Sequence, residues 1–390
     1  MISRKIQRKL AFFRVFALAF AAFIVNTTEF IPVALLSDIA TSFQMDTSTT
    51  GLMITVYAWV VFLLSLPLML LTAKMERKSL LIKLFIIFTL SHILSVIAWN
   101  FWILLISRAM IAITHAIFWS ITASLVIRMA PRDKKSQALG LLALGSSLAM
   151  ILGLPLGRMI GQAFGWRATF AIIGIIAFIM LLIIWKLLPY LPSKNAGSMK
   201  SVPILFKRPM LIGIYLLVAL VVSGHFTSYS YIEPFMVQIS QVKPQTATFI
   251  LLVFGLAGVV ASFLFGRLYA KAPKKFIVVG IMIVMLGQLC LLPLSDSTVS
   301  MFILVFIWGI GITGMSIALQ MKVLELSPDA TDVATAIFSG VYNMGIGGGA
   351  LIGSLAMKHI GLPYIGFVGG SLAGIAVCWF IFISIRYRNA

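Results

Sequence analysis

Acidic side chains are scarce in this chain. Ten Asp and Glu stand among 390 residues, against thirty Lys and Arg, and all four charged types together make 10%. A water-soluble chain of this size would carry about a quarter charged residues, so a soluble globular fold is excluded. Cysteine is nearly absent: Cys290 and Cys378 both lie in apolar runs, which excludes a disulfide framework. No CxxC, HExxH, GxSxG or GxxxxGK[ST] occurs. The sequence therefore offers no metal site, no nucleotide cradle for direct ATP drive and no activated nucleophile. It predicts no enzyme and no cofactor.

What is present is hydrocarbon. The chain is 61% hydrophobic, and apolar runs of about 20 residues, enough to cross a bilayer as helices, follow one another. Twelve are counted, at 11–37, 48–73, 79–99, 101–128, 135–161, 168–189, 210–237, 245–270, 275–294, 298–325, 331–358 and 362–386. The first is too long for a signal peptide and lacks a small-residue cleavage site, so it reads as a retained helix. The net charge of +20 does not point to nucleic acid. If the helices alternate from a cytoplasmic N-terminus, 24 of the 30 Lys and Arg fall on the cytoplasmic side. This positive-inside bias predicts an inner-membrane protein with both termini in the cytoplasm, its basic rim against anionic headgroups.

The two halves of the chain resemble each other. AKMERK (Ala73–Lys78) recurs as AKAPKK (Ala270–Lys275) at an offset of 197 residues, and Pro131 recurs as Pro328. Gly153 and Gly157 recur as Gly349 and Gly353 at an offset of 196. The expected organisation is a six-helix half over 1–189, a cytoplasmic linker over 190–209 and a second six-helix half over 210–390. Parallel duplications of this kind bind substrate between the halves, near the midplane.

This layout resembles the major facilitator superfamily over the whole chain. The loop after the second span is a degenerate form of that family's G-x-x-x-D-R-x-G-R-R, with Ala73 for the Asp and Glu76 for the Gly, while Lys74, Arg77 and Lys78 keep the charge. The resemblance implies a cytoplasmic gating role for Arg77 and Lys78. Arg108 in LLISRAMIAITHA resembles the family's fourth-helix arginine motif. GSSLAMILGLPLGRMIG resembles its fifth-helix antiporter motif, with Leu154-Pro155 where Gly-Pro is usual, which implies gating for Pro155. FGWRATF and NTTEFIPVALLSDIA are similar to the twelve-helix drug:proton antiporters, and NTTEFIPVALL, SYIEPF and SPDATDVA to the bacterial sugar-efflux members among them. The resemblance implies proton-driven export of sugars, thio-glycosides and drugs by a monomer. A broad multidrug:proton antiporter and a proton-coupled sugar importer are the alternatives. A channel would need rings of polar residues, which the isolated buried charges do not supply.

An ionisable side chain inside a membrane helix is costly and marks function by default. Glu29 lies roughly 12 Å and Arg108 roughly 10 Å from the outer ends of their helices, at 1.5 Å per residue. At such matched depths the two can pair or share a wet cavity, with Glu29 the proton carrier, or they can be a structural ion pair. Asn26 shares a face with Glu29 and can bind a hydroxylated ligand or make a helix contact. His115, on the Arg108 face with Trp119, can titrate, bind a sugar or be satisfied by a neighbour. His92 reads as structural. In the seventh span His225 and Tyr229 share a face; Tyr229 and Tyr231 leave on different faces, and one is expected to line the cavity. Glu233 either caps the outer gate or faces headgroups. Asn343 offers an amide near the midplane, for substrate or for packing. Gly153, Gly157 and Gly161 form a close-packing stripe, assigned to gating.

Overall fold

A computed structural model describes residues 4–131, 135–193 and 200–387. Parts of the basic loop after the fourth span and of the 190–209 linker, with Arg132, Lys134 and Lys194, lie outside the described residues, as does Arg388. The regular structure described is helical throughout. We label the long helices α1 (Arg4–Ala34), α2 (Leu52–Leu71), α3 (Arg77–Val96), α4 (Phe101–Met129), α5 (Lys135–Leu148 continuing as Leu154–Phe164), α6 (Trp166–Leu187), α7 (Pro209–Tyr229), α8 (Pro244–Leu268), α9 (Pro273–Leu289), α10 (Thr298–Leu326), α11 (Thr331–His359) and α12 (Ile365–Arg386).

Their starts follow from local chemistry. Asn100 and Ser297 cap α4 and α10 by accepting from the N–H groups of Ile103 and Ser300, and Pro209, Pro244 and Pro273 open α7, α8 and α9 where no N–H is needed. Eleven segments among the described residues are long and apolar enough to cross a membrane. The expected ninth span is shorter than predicted: α9 has 17 residues, the lower limit for a crossing, and turns follow from Cys290. The fifth span is interrupted by a π turn, Ala149–Gly153. Pro155 has no N–H for the Ile151 carbonyl, and the wider turn accommodates that gap.

The duplication is written into the backbone. The described left-handed residues are Gln44 and Gln241, both with φ 53°, and Gly165 and Gly361, with φ 84° and 98°. The glutamines are 197 apart and the glycines 196 apart. Packing repeats too: α1 lies on α5 as α7 lies on α11, α2 on α4 as α8 on α10, and α3 on α6 as α9 on α12. The halves meet through α2 against α11 and α5 against α8. Residues related by the offset even meet each other: Phe30 stacks on Phe226 with centroids 6.5 Å apart, and Ser37 donates to Glu233 at 2.6 Å. Such self-pairs place α1 and α7 on either side of a pseudo-two-fold axis.

Candidate functional site

Both polar constellations of the first half converge on Glu29. Arg108 does not form the side-chain pair that the matched depths suggest. Its Nη1 donates to the Thr28 carbonyl at 2.8 Å and Nη2 to the Glu29 carbonyl at 3.3 Å, while the guanidinium lies 4.5 Å over the Tyr57 ring. The Glu29 carboxylate instead faces His115, with Oε2 3.8 Å from Nδ1. That nitrogen, Arg108 Nε and the Tyr57 hydroxyl are buried with no hydrogen-bond partner in the structure. Buried polar atoms are rarely left so, and here three of them lie around one carboxylate. His115 also packs edge-on to Tyr57 at 5.7 Å and beside Trp119 at 6.3 Å.

A cavity of about 300 Å³ opens between the halves. From the first half Asn26, Phe30, Ser146, Ser147 and Met150 line it; from the second come His225, Phe226, Tyr229, Phe254, Thr313, Ser316 and Tyr342. Of the residues singled out in the sequence, Asn26, His225 and Tyr229 are therefore in the wall. His115, Trp119 and Asn343 are not among its lining residues. Asn343 donates to the Ser339 carbonyl, leaving its own Oδ1 unpaired. Tyr231 is elsewhere: its hydroxyl donates to the Ala350 carbonyl at 2.8 Å and its ring covers Gly51 and Gly353. The imidazole of His225 stacks on Tyr229 at 4.9 Å and on Phe254 at 6.0 Å, with Trp308 edge-on at 5.3 Å. His225 Nδ1 and the Tyr229 hydroxyl have no partner in the structure.

The expected outer end of the cavity is closed across the halves. Arg158 of α5 donates to Glu233 at 2.9 Å, to Thr248 of α8 at 3.0 Å and to the Ala34 carbonyl ending α1. Glu233 is 2% exposed, so it caps the junction and does not face headgroups. Ser354 of α11 also donates to the Ser48 carbonyl at 3.0 Å.

At the other end, the expected gating residues bind the first half and the start of the linker. Arg77 donates to the Thr72 and Ala73 carbonyls and to Ser193. Glu76 accepts from the N–H groups of Lys78, Ser79 and Leu191. Burial would raise its carboxyl, but those three N–H groups hold it below its ordinary value. Lys78 enters through its backbone. The glycine stripe also differs from its assignment. A Cβ on Gly153, Gly157 or Gly161 would strike Thr27, Ile31 or Leu35, so these glycines seat α5 on α1 of the same half. The sliding surface envisaged for them is not where they lie; close approaches across the halves are made by Gly347 of α11 against Trp59 of α2 and by Gly255 of α8 against the Met150 backbone. Pro155 follows the π turn beside this seam.

Sequence reasoning missed Arg158, Phe254, Tyr342 and the serine pair. Arg158 carried the same signal as Arg108, a cation inside an apolar span. The offset of 196 also relates Ser146 to Tyr342, both in the wall.

The sequence matches the Major Facilitator Superfamily over residues 18–332 and 224–390. It is 64% identical over 389 residues to a probable sugar efflux transporter of Helicobacter pylori (strain P12), covering 100% of both chains. It is 61% identical to one of Mannheimia succiniciproducens, covering 100% of this chain and 98% of the relative. Among solved structures, a bacterial homologue of the human lysosomal transporter Spinster, in an inward-facing and occupied conformation, is similar with a TM-score of 0.75, 16% identity and 97% coverage of each chain. That likeness is one of fold.

Proposed function

This chain belongs to the Major Facilitator Superfamily, and we propose that it is a secondary transporter that exports neutral sugars and thio-glycosides across the bacterial inner membrane in exchange for protons. It works as a monomer without a cofactor, its termini in the cytoplasm, by rocking the half 1–189 against the half 210–390 about the linker 190–209. The observation that carries the substrate reading is the composition of the cavity wall. Hydroxyls and one amide alternate with aromatic faces, and no Asp, Glu, Lys or Arg is among the described lining residues. Sugar hydroxyls pair with the former and the ring's C–H face with the latter. The relatives' names support the same class.

The coupling reading rests on Glu29, which lies one helical turn from Asn26 and faces His115. A proton on Glu29 rearranges the unpaired atoms of His115 and Tyr57, and substrate rearranges the wall itself. Each disfavours the other, which is the requirement for exchange. The outer closure by Arg158 and Glu233 fits a cavity open toward the cytoplasm.

A broad drug:proton antiporter is favoured by one observation, the run of Phe30, Phe226, Phe254 and Met150 in the wall. Equilibrium binding to the detergent-solubilised protein separates the readings. A neutral thio-galactoside should bind and a lipophilic organic cation should fail to displace it, since no carboxylate is among the described residues of the wall. Tight binding of the cation with none of the glycoside would overturn the sugar reading.

A further inference from the structure

The Glu29 site rests on a stretch of α1 that is held from outside the helix. Pro32 lies inside α1 and has no N–H, so the Thr28 carbonyl lacks its helical donor. Arg108 Nη1 supplies the missing donor at 2.8 Å. Thr28 is fully buried, and its hydroxyl lies 3.2 Å from His92 Nε2 of α3. The other ring nitrogen of His92, Nδ1, is 2.8 Å from the Phe88 carbonyl, which can only accept. Nδ1 therefore carries the hydrogen, Nε2 is bare, and the Thr28 hydroxyl donates to it. The ring cannot drift. It is completely buried, packs on Phe88 at 4.5 Å and Phe170 at 6.3 Å, and its Cβ sits in the space left by Gly174. One residue of α1 is thus gripped from α3 through its side chain and from α4 through its backbone, and the next residue is Glu29.

We propose that Thr28 is the positioning residue of the Glu29 site: the His92–Thr28–Arg108 chain fixes the separation between the Glu29 carboxylate and the Arg108 guanidinium. The role is built on three features that have no other common purpose, the helix gap at Pro32, the donor that fills it and the oriented histidine. Neither Thr28 nor His92 is in the cavity wall, so neither acts by touching substrate. The groups that face the carboxylate are Arg108 and His115 from α4, Tyr57 from α2 and Tyr342 from α11. Arg108 is the one permanent charge among them, so its distance sets how readily Glu29 holds a proton. The proposal rests on the reading of Glu29 as proton carrier.

The test is the pH profile of thio-galactoside efflux from proteoliposomes under an imposed pH gradient. Thr28→Val removes the hydroxyl at constant shape, and His92→Phe removes its acceptor. Each should displace the profile's midpoint by about half to one pH unit, in the same direction, because one buried hydrogen bond is worth about that much proton affinity. The double variant should move no further than either single one. Thr28→Ser, which keeps the hydroxyl, should restore the parent midpoint. An unmoved midpoint in Thr28→Val overturns the proposal. So does a shift that His92→Phe does not share, or one that Thr28→Ser shows in full. If Thr28→Val does not fold, His92→Phe against Thr28→Ser decides by the same criteria. Glu29→Gln, run alongside, separates the two levels. Gradient-driven efflux that survives it removes the coupling reading and this proposal with it, whereas uncoupled Glu29→Gln beside a parent-like Thr28→Val removes the positioning role alone.

Discussion

Asn26 is the one amide among the described residues of the cavity wall, where it can meet a ligand hydroxyl. A neutral hydrogen bond contributes about 0.5–1.5 kcal/mol, so Asn26→Ala should weaken thio-galactoside binding about threefold to tenfold. Asn343 is a contrast within the same protein. It donates to Ser339 one turn away and is not in the wall, so Asn343→Ala should change that dissociation constant by less. Isothermal titration of the two variants checks both. The sequence carried much of this region. Glu29 and Arg108 are visible as charges in hydrocarbon, and their helices do meet at that depth. What it could not show was the rotation of each side chain. Arg108 directs its two Nη groups to carbonyls, one of them freed by Pro32, and Glu29 turns to His115. Periodicity fixes which face a residue occupies; only packing decides which of several neighbours on that face it touches. Phe254 and Tyr342 were hidden for another reason, since aromatic residues abound and most of them pack or face lipid.

At the scale of elements, the glycine stripe shows how much a repeat can tell. Gly153 and Gly157 seat α5 on Thr27 and Ile31 of α1, and Gly349 and Gly353 seat α11 on Ser223 and Thr227 of α7, each partner shifted by the same 196 residues. The repeat was legible, and so was close packing. The partner helix was not, because a small-residue stripe does not say which backbone it admits. Gly353→Ala would push a methyl into the Thr227 carbonyl, a backbone atom that cannot rotate away. Overpacking of this kind costs about 1–3 kcal/mol, and the thermal midpoint of the solubilised protein should fall. Gly266→Ala in α8 is the control. Nothing lies within 4 Å of its added methyl, and alanine is the better helix former, so that midpoint should hold or rise.

For the whole molecule, one buried ion pair joins the halves at the expected outer end. Arg158 and Glu233 are 1% and 3% exposed at their side chains and 2.9 Å apart. Removing one partner of such a pair strands the other and costs about 3–5 kcal/mol. Here the cost falls on the closed arrangement alone, so Glu233→Gln should shift the population toward an outward-open state. A cysteine introduced in place of Ser147 in the cavity should then react faster with an impermeant thiol reagent added outside. Unchanged labelling would show that the pair does not hold the closure.

Exchange of sugar for protons through Glu29 is the central claim, and lumenal pH reads it directly. Thio-galactoside is added outside proteoliposomes that contain the purified protein and a trapped pH indicator, with no initial gradient. Sugar entering by exchange carries protons out, so the lumen should turn alkaline, and Glu29→Gln should abolish the signal while retaining sugar binding. Acidification of the lumen, or sugar entry with no change in lumenal pH, would contradict the account.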